Sequence, residues 1–146
     1  GKLMENWSLN HDLVYVFVCV SYLADGEIDD SEKDAMRGNI KVTQPNLSDG
    51  DYDTISSQVV DEFIALGNES ARSAKYTESL NALKSMFDAD EGKFKLIKNL
   101  AYIARADEFI HENEMAMIEE AITVLDMVAK VNIVKTDSTL FVDFRS

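Results

Sequence analysis

Leu13-Val-Tyr-Val-Phe-Val-Cys-Val20 is an unbroken apolar run, and its conformation decides the fold. Its β-branched content suits a buried strand, and periodicity alone does not separate that from a helix that is apolar on every side. Context separates them, because no other segment offers a convincing strand partner. The run is therefore read as the centre of a first helix, from about Asn10 to Ala24, enclosed by other helices. The apolar stretch ends at Leu23 and is too short to span a bilayer. It lacks a basic leader and a small-residue cleavage site, so no signal peptide is expected and the cytoplasm is the default compartment. Cys19, the only cysteine, excludes an intramolecular disulfide and reads as a buried, inert thiol.

Working outward, a second helix is expected from Asp29 or Asp30 to Gly38-Asn39, followed by a loop over Thr43-Gln-Pro-Asn-Leu-Ser-Asp-Gly50 with Pro45 and Gly50 as breakers. A third helix carries Ile55, Val59, Phe63, Ile64 and Leu66 to the core and stops at Gly67-Asn68. A fourth, near Ala74 to Phe87, aligns Leu80, Leu83 and Phe87. The fifth, about Lys93 to Ala106, buries Leu96, Ile97, Leu100, Ala101 and Ile103. The sixth starts near Glu112 and presents Met115, Ile118, Ala121, Ile122 and Leu125. The stretch from Val128 to Val134 is ambiguous, and Thr136-Asp-Ser-Thr139 is read as the start of a last short helix with Leu140, Phe141 and Phe144. Met86, Met115 and Met117 read as core filler. The expectation is one all-α domain over the whole chain, with about six or seven helices in a compact arrangement.

Two segments share a grammar. Tyr22-Leu-Ala-Asp-Gly-Glu-Ile-Asp-Asp-Ser-Glu32 and Ala104-Arg-Ala-Asp-Glu-Phe-Ile-His-Glu-Asn-Glu114 align Ala24 with Ala106, Asp25 with Asp107, Ile28 with Ile110, and Glu32 with Glu114. The offset is 82 residues throughout. Each segment follows an apolar helix and precedes an amphipathic one, so the chain reads as a duplicated helix-turn-helix with halves near 9–68 and 72–134. Part of the pattern is explained by helix starts alone. Asp29 and Glu32 have capping-box spacing, and first-turn carboxylates favour the helix dipole. Asp25 and Asp107 differ, because each falls at the carboxyl end of a helix, where a negative charge opposes the dipole. A basic side chain, turn amides or a cation should compensate them.

Asp25-Gly-Glu-Ile-Asp29 through Glu32 matches the second half of an EF-hand loop, but the opening ligand positions fall on Ser21 and Leu23, and in the second copy on Ile103 and Arg105. A self-contained EF-hand is excluded, since calcium needs oxygen ligands there. A site assembled across both copies, from Asp25, Asp29, Asp107 and Glu114, remains open. All-oxygen donors suit calcium, magnesium or manganese, and His111 would admit zinc.

These paired acidic turns, each after an apolar helix, resemble the TerB-like family associated with tellurite resistance, over about Leu9 to Val131. The resemblance implies an all-helical fold with inverted halves and metal binding by the acidic motif, in proteins tied to stress responses and membrane-associated complexes. Its motif positions here are Asp25, Asp29 and Glu32, then Asp107 and Glu114. The second copy departs from the family pattern: Glu108 replaces the usual glycine, and His111 a small polar or acidic residue.

Asp and Glu outnumber Lys and Arg 27 to 14, for a formal charge of −13. Such a surface repels nucleic acid and anionic headgroups and attracts cations and basic partners. There is no phosphate-binding glycine loop and no Gly-x-Ser-x-Gly. His11 is expected to cap or decorate the first helix, and Trp7 to cover the core edge. Asp61-Glu62 and Glu119-Glu120 read as solvated faces, and Lys93, Lys95 and Lys98 as a small basic cluster able to meet the acidic turns. Two functions are therefore carried forward. One is a non-enzymatic, metal-binding or metal-responsive accessory protein that docks basic or membrane-associated partners without membrane insertion, as a monomer or weak homo-oligomer in the cytoplasm or at the inner face of the membrane. The other is a metal-free helical interaction module whose acidic turns are only caps. A metal-dependent hydrolase is disfavoured, because such enzymes show a clearer ligand set.

Overall fold

The computed structural model describes residues 7–25, 30–87, 89–104, 112–135 and 140–144. Among these, six helices precede a hairpin: α1 (Leu9–Asp25), α2 (Asp30–Thr43), α3 (Asp49–Leu66), α4 (Glu69–Lys84), α5 (Asp90–Ala104), α6 (Glu112–Val124), β1 (Val131–Lys135) and β2 (Leu140–Phe144). The apolar run is helical, and α1 packs against each of the other five helices. Every residue from Leu13 to Val20 is buried, with Cys19 the most accessible at 4%. A helix enclosed on all sides needs no polar stripe, which is why the run shows no amphipathic period. Burying its side chains outweighs the modest helix penalty of four valines.

The helix ends follow from local chemistry. At α1, Ser8 Oγ accepts from the His11 amide at 3.4 Å, while His11 Nδ1 accepts from the Ser8 amide at 3.0 Å. This is a capping box with histidine in place of glutamate. Ser48 caps α3 through the Asp51 amide, and Asn68 caps α4 through the Ala71 amide at 2.8 Å. Between α3 and α4, Gly67 takes a φ of 73°, so one residue ends a helix and the next begins another. On the surface, Lys41, Lys130 and Lys84 hold the carboxyls of Asp49, Asp90 and Asp126 below the usual carboxylate range through hydrogen-bonded pairs.

Several boundaries depart from the sequence reading. α2 continues through Gly38 and Asn39 for another turn, because fully buried Ile40 anchors it beyond the glycine. Gly50 lies inside α3, whose start is set by the Ser48 cap. Ile64 is 63% exposed, and Tyr52 and Glu62 take core positions instead. α4 begins at Glu69 and ends at Lys84, so Phe87 packs on the core from beyond it. α5 starts at Asp90 and contains Gly92, where a Cβ would fall 2.7 Å from the Phe87 ring. The predicted buried residues of α5 are all found buried.

Leu140–Phe144, expected in a last helix, form a strand, and the expected helix start at residues 136–139 lies outside the described residues. β1 and β2 pair antiparallel, with Val131 opposite Phe144 and Lys135 opposite Leu140, and β2 packs on α5. Val131 is buried, Ile133 and Val142 face each other half-buried against the core, and Val134 is exposed, so Val131 and Ile133, two residues apart, share the core-facing side. The 82-residue offset also appears in the fold, since α2 begins at Asp30 and α6 at Glu112.

Candidate functional site

The motif positions lie at helix junctions. Asp25 is the last residue of α1, Glu32 falls in the first turn of α2, and Glu114 in the first turn of α6. Neither α1 nor α5 has a basic residue in its last turn, so no lysine or arginine of that turn offsets the carboxylate at the end of α1. Asp29, Asp107 and His111, with the neighbouring Glu108, lie outside the described residues, as do the side chains of Asp25, Glu32 and Glu114. Among the described residues, no three His, Cys, Asp or Glu side chains gather closely enough to hold a metal ion. Lys93 and Lys95 pair within their own helix, with Asp90 at 4.0 Å and Glu91 at 3.6 Å.

One turn from these junctions, a cleft of about 490 Å³ opens between α1, α3, α4 and α6. Tyr22, on its α1 wall, precedes Asp25 by three residues, and Ala116 follows Glu114 by two. Arg72 is held in the cleft wall by three contacts. Its Nε donates to the Phe63 carbonyl at 2.9 Å, and its guanidinium lies 4.1 Å from the Phe63 ring centre and 5.6 Å from that of Tyr22. Its own carbonyl accepts from the Tyr15 hydroxyl at 2.9 Å. Cation–π contact and hydrogen bonding hold the guanidinium before any ligand arrives.

Elsewhere on the cleft, Tyr76 donates to the Met117 carbonyl at 2.9 Å, tying α4 to α6. Glu120, read from sequence as solvated, accepts from Thr77 at 2.8 Å and lines the cleft with Glu69. Cys19 lines it too, and burial pushes its thiol up to about 12, so it is not a thiolate nucleophile at neutral pH. Burial likewise drives the Tyr15 and Tyr76 phenols well above their ordinary range.

The other polar cluster, at the start of α1, is structural. His11 Nε2 meets Gln58 Oε1 at 2.6 Å, and its Nδ1 is engaged by Ser8, so both ring nitrogens are occupied. Since Nδ1 accepts from the Ser8 amide, Nε2 is assigned the proton. Asp12, 8% exposed, accepts from Trp7 Nε1 and from Ser79 Oγ, both at 2.9 Å. The Lys75 ammonium sits 4.1 Å from the Trp7 ring centre, so Trp7 covers the core edge and a buried cation together.

A family model described as tellurite resistance protein TerB matches residues 13–131. The chain belongs to the TerB family. The match begins within α1, runs through both acidic turns and ends at β1, so it covers all six helices at least in part. No protein of curated function and no solved structure matches the chain. Among the described residues, no helix is long and apolar enough to cross a membrane.

Arg72 and its cleft were not singled out by sequence. They lie in no motif, and their only trace is an arginine nine residues after Phe63, across the two-residue break between α3 and α4.

Proposed function

We propose that this TerB-family chain is a non-enzymatic accessory protein that binds or responds to a divalent metal ion and serves tellurite or stress resistance by docking protein partners. The observation that carries the reading is the acidic turn repeated at an 82-residue offset, with α1 ending on Asp25 and no basic residue in that last turn. A cation is the natural compensation for carboxylates set against a helix dipole. The donor chemistry fits: Asp25, Asp29, Glu32, Asp107 and Glu114 supply hard oxygens for calcium, magnesium or manganese, and His111 extends the set to zinc. The charge of −13 supports basic partners, including those of a membrane-associated complex at the cytoplasmic face, over nucleic acid.

Thermal unfolding of chelator-stripped protein, alone and with each of the four ions, tests this. An ion that binds only the folded state at about 100 times its dissociation constant adds roughly 2.7 kcal/mol, a rise of several degrees at this size. The rise should vanish in the Asp25→Asn/Asp107→Asn double variant. Identical unfolding with and without every ion would reduce the acidic turns to helix caps and leave a metal-free interaction module.

A further inference from the structure

We propose that the cleft beside the acidic turns binds a small amphipathic monocarboxylate, with Arg72 taking the carboxylate and the Tyr22, Phe63 and Met117 side of the cleft taking its apolar body. Three observations meet here. First, Arg72 is pre-positioned but unspent. Its Nε is bound to the Phe63 carbonyl and its guanidinium carbon lies over two rings, while no carboxylate among the described residues forms an ion pair with it. Arg37, Lys41, Lys84 and Lys130 each reach an aspartate in this acid-rich chain. A guanidinium held by a hydrogen bond at Nε and by ring contacts keeps its two terminal nitrogens for a planar carboxylate, which they match as a fork.

Second, the space is of the right kind. About 490 Å³ falls within the range that small-molecule sites occupy, and its lining joins aromatic and thioether surface to a few polar groups. Tyr76, 1% exposed and fixed to Met117, makes the α4–α6 side rigid. Third, the remaining charges set the class of ligand. Glu69 and Glu120 line the same cleft, with Glu120 oriented by Thr77. The two glutamates outweigh the single arginine, so the cleft repels phosphates and other polyanions and takes a monoanion only where its carboxylate pairs directly with Arg72. Nothing in this assignment uses the acidic turns, so it stands apart from metal binding.

Phenylpropionate is the probe, with neutral phenylpropanol and dianionic phenyl phosphate as controls. Each is titrated into the intact protein while amide shifts are followed by NMR. Saturable binding of phenylpropionate, with shifts centred on α4 and α6, is expected. Arg72→Gln should weaken it roughly ten- to a hundredfold, the value of a charge-assisted hydrogen bond. Because Arg72 also bonds Phe63, a second variant keeps the arginine: Ala116→Trp, at an exposed α6 position, should fill the cleft and abolish binding without removing a contact. Equal binding of phenylpropanol, tighter binding of phenyl phosphate, unchanged affinity in either variant, or no saturable shift at millimolar probe would each overturn the proposal.

Discussion

Val16, Phe17 and Val18 are consecutive on α1, point about 100° apart around a helix, and are each 0% exposed. On a helix at the surface of a bundle, one of three such neighbours would face water, and its truncation would be nearly free. Enclosure removes that freedom, so alanine should be costly at all three positions. For each valine, two buried methyl groups and the space they leave amount to about 1.5–3 kcal/mol. Phe17→Ala should cost about 3–5 kcal/mol, a large part of the roughly 5–15 kcal/mol that holds a domain of this kind folded. At about 2–4 °C per kcal/mol, Phe17→Ala should lower Tm by roughly 6–20 °C. Urea unfolding of the three variants supplies the measurement, with an unchanged slope showing that the transition still compares the same two states. Val42→Ala and Ile64→Ala, at positions 67% and 63% exposed, serve as references and should stay within about 0.5 kcal/mol of the parent. If any one of positions 16, 17 and 18 behaves like the references, α1 has a solvent face and the account of its apolar run is wrong.

Ser79→Ala removes a hydroxyl bound to the buried Asp12 carboxylate and should cost about 1.5–3 kcal/mol by the same assay; a neutral result would mean that water replaces the serine without loss. Alkaline pH should unfold the protein early. Burial raises Cys19 to about 12 and moves Tyr15, Tyr52 and Tyr76 upward, so the folded state keeps protons that the unfolded chain releases. Their contribution is complete below the unfolded values, roughly 8.5 for the thiol and 10 for the phenols, and is lost as pH climbs past them. Each group adds a slope of about 1.4 kcal/mol per pH unit, and Cys19→Ala should delay the earliest part of the loss. A urea midpoint that stays level from about pH 8 to 11 would contradict this.

Much of the fold was legible because its signals are local. The apolar run, Gly67-Asn68 at the α3–α4 break, and the core stripe from Leu96 to Ile103 are each written in neighbouring residues, and the backbone follows them. The acidic repeat was legible for the same reason, and it carried the family. The hairpin was missed although Val131 and Ile133 flank a polar Asn132, because short apolar runs suit either period until a partner strand is seen. Glu62 looked solvated beside Asp61, yet it is 6% exposed. Its burial is set by the packing of α3 on α1 and α4, which no window of α3 encodes.

By itself, then, the sequence determined that the chain is helical and acidic and that an acidic turn recurs at an 82-residue offset, since caps, apolar periods and charge act within a few residues of one another. Only the tertiary structure decided that α1 is the helix the others enclose, that the C-terminal segment pairs as strands, and that Arg72 meets Phe63, Tyr22 and the α6 wall around one cleft. Those outcomes depend on contacts between residues far apart in the chain. Such contacts arise where helices compete to cover the same apolar surface, and that competition is settled by three-dimensional packing rather than by the preferences of any single segment.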